Sequence, residues 1–75
     1  MTLNELQELC ASDEFHHATY RNFGTLWEGL WIYVKDRSPR GFDSAGVFLK
    51  GSAELPAAEA LLTDTGISVG SYGHG

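Results

Sequence analysis

Residues 24–36 read GTLWEGLWIYVKD and contain both tryptophans of the chain, together with a tyrosine and four aliphatic side chains. Gly29 lies in the middle of this run and would cost a helix about 1 kcal/mol relative to alanine. The aromatic and β-branched residues at 31–34 prefer strands, so the stretch predicts a β-strand. The competing interpretation is a helix whose apolar stripe comprises Trp27, Leu30, Trp31 and Val34.

The segment that follows this strand predicts a hairpin. Pro39 has no amide for a sheet ladder, and Ser38 and Gly41 favour turns, so the chain should reverse within residues 36–41. Residues 42–50, FDSAGVFLK, then alternate between two faces as a strand does. Antiparallel strands joined by a short loop need no crossover, which makes a hairpin the simplest arrangement.

Alternation along these two strands predicts two different sheet faces. One face should be aliphatic, formed by Leu30, Ile32, Val34, Ala45, Val47 and Leu49. The other should be aromatic, formed by Trp27, Trp31, Tyr33, Phe42 and Phe48. Gly29 and Gly46 interrupt the aromatic face, where they leave room for neighbouring rings or for a flat ligand to approach the backbone.

Two short helices are predicted on either side of the hairpin. Thr2 and Glu5 have the spacing of a capping box, which predicts a helix over residues 3–11. Pro56 suits a first helical turn, where its missing amide costs nothing, and begins a second predicted helix over residues 56–65. Both helices have apolar residues at helical spacing, so each should cover part of the sheet.

Residues 12–22 leave helix and strand both open. Ser12 could cap a second helical turn, or the chain could loop and then extend over residues 18–22, with a turn at 22–25. We expect the extended form. The choice decides where the adjacent His16 and His17 point, because neighbouring residues of a strand face opposite sides and those of a helix diverge by about 100°.

The fold class predicted from these elements is α+β. A last strand with Ile67 and Val69 inward should follow the second helix and fray into a glycine-rich tail at about residues 70–75. The whole chain, residues 1–75, is expected to form a single domain. Its architecture should be a small antiparallel meander with the two short helices packed on one face.

Composition limits the classes of function. The net charge of −5 disfavours binding to nucleic acid. Stacking of single-stranded bases near Arg37, Arg40 and Lys50 is a weaker hypothesis, because no basic stripe accompanies the aromatics. A single cysteine, an acidic N-terminal stretch and the lack of a long apolar run lead us to expect a cytoplasmic protein without disulfides or membrane contact.

The candidate reactive groups predict no catalytic, metal or cofactor site. His16 and His17 should point apart, which suits two ordinary surface histidines better than one metal ion. Cys10 falls on the apolar stripe of the first helix, where a cysteine is usually a small buried hydrophobe. We therefore expect no cofactor and favour a protein that is not an enzyme.

The aromatic face supplies the functional hypothesis. If both helices cover the aliphatic face, five aromatic side chains are left without a cover, more than a monomer usually exposes. We expect a non-catalytic protein that self-associates through this face, as a homodimer first, or that docks another protein. The alternative is a small-molecule binder or small enzyme with an aromatic pocket and a polar rim of His17, Tyr20 and Arg21. A third possibility is that the chain covers these aromatics itself.

Overall fold

One sheet and two helices make up the parts of the chain that the computed structural model describes, residues 1–22 and 26–73. In chain order the elements are α1 (Leu3–Cys10), β1 (Phe15–Asn22), β2 (Gly29–Lys35), β3 (Phe42–Leu49), α2 (Leu55–Asp64) and β4 (Val69–Gly73). The predicted α+β class is confirmed. None of the helices described is long and apolar enough to cross a membrane.

The four strands form a mixed sheet in the order β3-β2-β1-β4. β1, β2 and β3 pair antiparallel, as the predicted meander requires, whereas β4 pairs parallel with β1. The chain reaches β4 through α2, the crossover that a parallel pair needs. Because residues 29–35 pair on both sides, the helical interpretation of the tryptophan-rich stretch is wrong.

β1 resolves the ambiguity of residues 12–22 in favour of a strand. It begins at Phe15, three residues before the predicted extension at 18–22, and pairs with β2 along most of its length. Residues 23–25 lie outside the described residues, and so does most of the turn predicted at 22–25. Residues 74–75 of the predicted glycine-rich tail also lie outside them, while β4 continues to Gly73.

Both helices begin and end within one residue of their predicted bounds, because the residues that start and stop them lie next to their ends. The Glu5 amide donates to Oγ1 of Thr2 at 3.2 Å, and the Thr2 amide donates to Oε1 of Glu5 at 3.3 Å, so the capping box is confirmed. In α2 a proline occupies the first turn, and Gly66 beyond its end adopts a positive φ of 82°. The left-handed region is open to glycine at little cost.

The core lies between the sheet and the two helices. Its buried members come from α1, α2 and one face of β1, β2 and β3: Leu6, Ala18, Leu30, Ile32, Phe48, Leu55, Ala58 and Leu62. The largest of these that have essentially no exposed surface are Leu6, Leu30, Ile32 and Leu62. A core of this size leaves a domain only marginally stable.

A β-bulge in β3 corrects the predicted face assignment. Ile32 pairs with Gly46 and Tyr33 pairs with Ser44, so Ala45 is an extra residue that shifts the alternation. Phe48 therefore faces the helices and is 2% exposed, and its predicted place on the aromatic face is wrong. For the same reason Val47 lies opposite Trp31, on the side away from the core.

Two further members of the predicted faces change place. Leu49 pairs with Gly29 and moves with Val47 to the side away from the helices. Gly46 does not interrupt the aromatic face, because a Cβ atom on it would lie 2.6 Å from the Cβ of Met1, a residue packed against the core. The bulge thus exchanges a phenylalanine and a glycine for two aliphatic side chains.

Candidate functional site

The candidate site is the sheet face that the helices leave uncovered, which we call the open face. Its side chains, assigned from the strand registers, are those of His17, Thr19, Arg21, Trp31, Tyr33, Lys35, Phe42, Ser44, Val47 and Leu49. Both described helices pack on the opposite face. Three of the five predicted aromatic site residues, Trp31, Tyr33 and Phe42, lie on the strands of this face, and a fourth, Trp27, joins it from the turn before β2.

One half of the open face is a stack of rings. His17 lies parallel to Tyr33, with a ring-centroid distance of 4.4 Å and an interplanar angle of 7°. Phe42 meets both rings edge-on, at 4.8 Å from His17 and 5.5 Å from Tyr33. The guanidinium carbon of Arg40 lies 4.9 Å above Phe42. As a result Tyr33 is only 3% exposed. At this ring the chain covers its own aromatic side chain.

Arg21 joins this stack to the tryptophans. Its guanidinium carbon lies 4.9 Å from the ring centroid of Trp31 and 5.5 Å from that of Tyr33, and its Nη2 donates to the Tyr33 hydroxyl. A cation placed over rings in this way is attracted by their negative faces. The predicted rim residues His17 and Arg21 thus lie among the aromatics.

The other half of the open face is an apolar patch, which we call the open patch: Trp27, Trp31, Val47 and Leu49. The two indole rings lie 6.4 Å apart, and Nε1 of Trp31 donates to the Trp27 carbonyl oxygen at 3.0 Å. Trp27 precedes β2 in a turn and is 61% exposed, and its neighbour Leu26 is 89% exposed. The indole groups are therefore held in place yet remain accessible.

Tyr20, the third predicted rim residue, lies on the other side of the sheet. It pairs with Leu30 and packs against the core, and its hydroxyl donates to Oε2 of Glu28 at 3.3 Å. Glu28 is 6% exposed, and Nζ of Lys50 lies 3.4 Å from the same oxygen. Burial and the Glu28 carboxylate both raise the pKa of Tyr20.

This raised pKa predicts a loss of stability in alkali. A tyrosine whose pKa is higher in the folded chain stabilises the fold fully below its unfolded value of about 10 and progressively less above it. The free energy of unfolding of the wild-type protein should therefore fall as the pH rises above about 10. Tyr20→Phe should flatten this part of the profile in urea titrations, and identical slopes for the two proteins would contradict the prediction.

The sequence led us to expect that His16 and His17 point apart, but in the structure they do not. A bulge between the Phe15 and His17 pairings makes His16 an extra residue of β1, and the two Nδ1 atoms lie 2.6 Å apart. Both rings contact Phe42, each at 4.8 Å. Burial, with smaller contributions from the charges of His16 and Arg21, lowers the pKa of His17.

Cys10 and the potential metal-ligating side chains are the other groups that could take part in chemistry. Burial raises the pKa of the Cys10 thiol, which favours the neutral thiol over the nucleophilic thiolate. Among residues 1–22 and 26–73, no group of three or more histidine, cysteine or carboxylate side chains could hold a metal ion.

A groove of about 380 Å³ lies away from the open face, between α1 and the sheet. Its lining is Met1, Glu5, Glu8, Leu9, Ser12, Glu14, Val34 and Ala45. None of the predicted aromatic site residues contributes to it. Neither helix contains a basic residue, so the helical side of the molecule is acidic, whereas Arg21 and Arg40 lie at the open face.

No family model, curated protein or solved structure matches the chain. The open face is consequently the feature from which a function can be inferred. Sequence patterning missed Val47, Leu49 and Arg40 as members of this face. The one signal that could have revealed the first two is Gly46, because an isolated glycine within a strand pattern is typical of a bulge.

Proposed function

We propose that this protein is a non-catalytic module that forms a homodimer through the open face. The observation that carries the proposal is the open patch, where Trp27 is 61% exposed, its ring lies 6.4 Å from that of Trp31, and Val47 pairs with Trp31. Contiguous apolar surface rimmed by polar groups is characteristic of protein interfaces. Tryptophan, tyrosine and arginine, the residue types that dominate interface energetics, all occur on this face.

A second copy is favoured as the partner because of the small core. The core of the described residues has eight buried members, two of them alanines, so the chain gains little from its own interior. A symmetric dimer covers the same patch on both chains at once and adds apolar burial to each fold. Aromatic side chains and arginine, rather than lysine and glutamate, are enriched at the centre of such interfaces.

The size of the open face predicts a weak dimer. Four strands about 4.8 Å apart, rising about 3.3 Å per residue, outline a face of roughly 500 Å². Two such faces bury on the order of 1,000 Å², which is at the lower limit of specific interfaces. We therefore expect an assembly that dissociates on dilution and whose dissociation constant lies in the micromolar range.

The test is the solution mass across a dilution series from about 1 mM to about 1 μM, with tryptophan emission recorded on the same samples. The wild-type protein should dissociate within this range, and its emission should shift to the red as the indoles enter water. Val47→Glu places a charge opposite Trp31 without removing either fluorophore. It should weaken the dimer by at least about 10-fold.

Thr63→Glu is the matched control, because it adds the same charge at an exposed position of α2. The dimer of this variant should dissociate over the same concentration range as the wild-type dimer. A wild-type protein that is monomeric throughout the series would overturn the proposal. So would a Val47→Glu variant that keeps its secondary structure, by circular dichroism, and still dimerises like the control.

A further inference from the structure

The bulge in β1 creates an arrangement of two histidines that a regular strand cannot supply. Successive side chains of a strand point to opposite faces, yet His16 and His17 bring their Nδ1 atoms to 2.6 Å from each other on one face. At this distance one Nδ1 donates its hydrogen to the other. Two imidazole nitrogens that converge in this way are a pair of donors for a metal ion.

We propose that His16 and His17 together bind one late first-row divalent metal ion, such as Ni²⁺, Cu²⁺ or Zn²⁺, through their two Nδ1 atoms. Neutral imidazole is the donor that these ions prefer, whereas Mg²⁺ and Ca²⁺ prefer oxygen. The site needs no second copy of the chain. Two protein donors leave the remaining coordination positions to water.

Neighbouring rings hold both histidines in this orientation. Tyr33 stacks on His17 at 4.4 Å, and Phe42 lies 4.8 Å from each imidazole, so neither ring turns freely away from the other. Two nitrogens bound at about 2.0–2.1 Å to one ion lie roughly 2.9 Å apart at the right angles of a square-planar ion such as Ni²⁺, and roughly 3.3 Å apart at a tetrahedral ion such as Zn²⁺. His16 is exposed, so a small rotation of its ring can widen the pair to either separation.

Metal binding also depends on the hydrogens that the two imidazoles carry and on the charged side chains near them. For both Nδ1 lone pairs to face the metal, each ring must carry its hydrogen on Nε2, so the shared hydrogen leaves Nδ1 and solvent supplies one to Nε2. Arg21 and Arg40 lie nearby and repel every cation, so binding depends on the nitrogen donors themselves.

The experiment is calorimetric titration of the full chain with NiCl₂ at pH 7.5, with MgCl₂ as the reference ion. We expect one Ni²⁺ per chain and no binding of Mg²⁺. His16→Gln and His17→Gln should each weaken Ni²⁺ binding by about 10-fold or more. His74→Gln is the matched control, since His74 is the one other histidine of the chain, and it should bind Ni²⁺ like the wild type.

A second readout separates loss of the site from loss of the fold. Paramagnetic Ni²⁺ should broaden the ring-proton resonances of His16, His17 and Phe42 in the wild-type protein before those of His74. His16→Gln changes an exposed side chain and should leave the circular dichroism spectrum unchanged. The proposal is overturned if no Ni²⁺ binds at about 1 mM, if His74→Gln loses binding, or if the His16 and His17 variants keep wild-type affinity.

Discussion

Phe48→Ala is expected to lower the free energy of unfolding by about 3–5 kcal/mol, the range for removing a buried aromatic ring. Phe48 is 2% exposed and pairs with Leu30 on the core side of the sheet. Its removal opens a cavity beneath both helices, in a core that has few large side chains to refill it. Urea denaturation at low protein concentration, followed by circular dichroism, measures the loss without a contribution from association.

Phe42→Ala is the control, because the same atoms are removed from the other end of the same strand. Phe42 is half-buried on the open face, so its loss should cost roughly 1–2 kcal/mol. Phe48→Leu keeps most of the buried volume and should remain folded even if Phe48→Ala does not. A larger loss for Phe42→Ala than for Phe48→Ala would show that the bulge and the faces derived from it are wrong.

This pair of phenylalanines illustrates which parts of the fold could be predicted. Helix ends are encoded within a few residues, so the capping box at Thr2 and the proline and glycine signals around α2 gave bounds within one residue. The strand character of residues 29–35 and 42–49 followed from β-branched and aromatic content. These features depend on chemistry that is close in the sequence.

The bulges depend on pairing between distant segments, and this is where alternation alone was wrong. One extra residue at Ala45 moves Phe48 into the core and brings Val47 and Leu49 to the open face. An extra residue at His16 brings two imidazoles together that were expected to point apart. A one-residue shift exchanges the faces of a strand, so such an error inverts every later assignment.

The parallel pairing of β4 with β1 could not be read from the sequence either. An isolated segment such as residues 67–73 records that it is a strand but not which edge it joins or in which direction. The crossover through α2 determines that choice by returning the chain to the far edge of the sheet. The separation of Tyr20 from Arg21, in contrast, follows from alternation alone, because neighbouring residues of a regular strand face opposite sides.

Gly29→Ala is the second substitution for which we expect a large effect, a loss of about 3 kcal/mol or more in the free energy of unfolding. Gly29 is buried at the start of β2. A Cβ atom there would lie 2.8 Å from the Cα of Leu49 and closer still to the carbonyl oxygen of Phe48. Both are backbone atoms of the paired strand, so a rotamer change cannot relieve the overlap.

Gly70→Ala separates this steric effect from the general effect of replacing a strand glycine. The nearest atom to a Cβ at Gly70 is Oγ1 of Thr19 at 3.4 Å, an ordinary contact, and φ is not positive there. This variant should be neutral or gain about 0.5 kcal/mol, because alanine reduces the entropy of the unfolded chain. Urea denaturation of both variants supplies the comparison. If the two variants are equally stable, β2 and β3 do not approach closely at Gly29. If only Gly29→Ala loses stability, the result agrees with the close backbone contact.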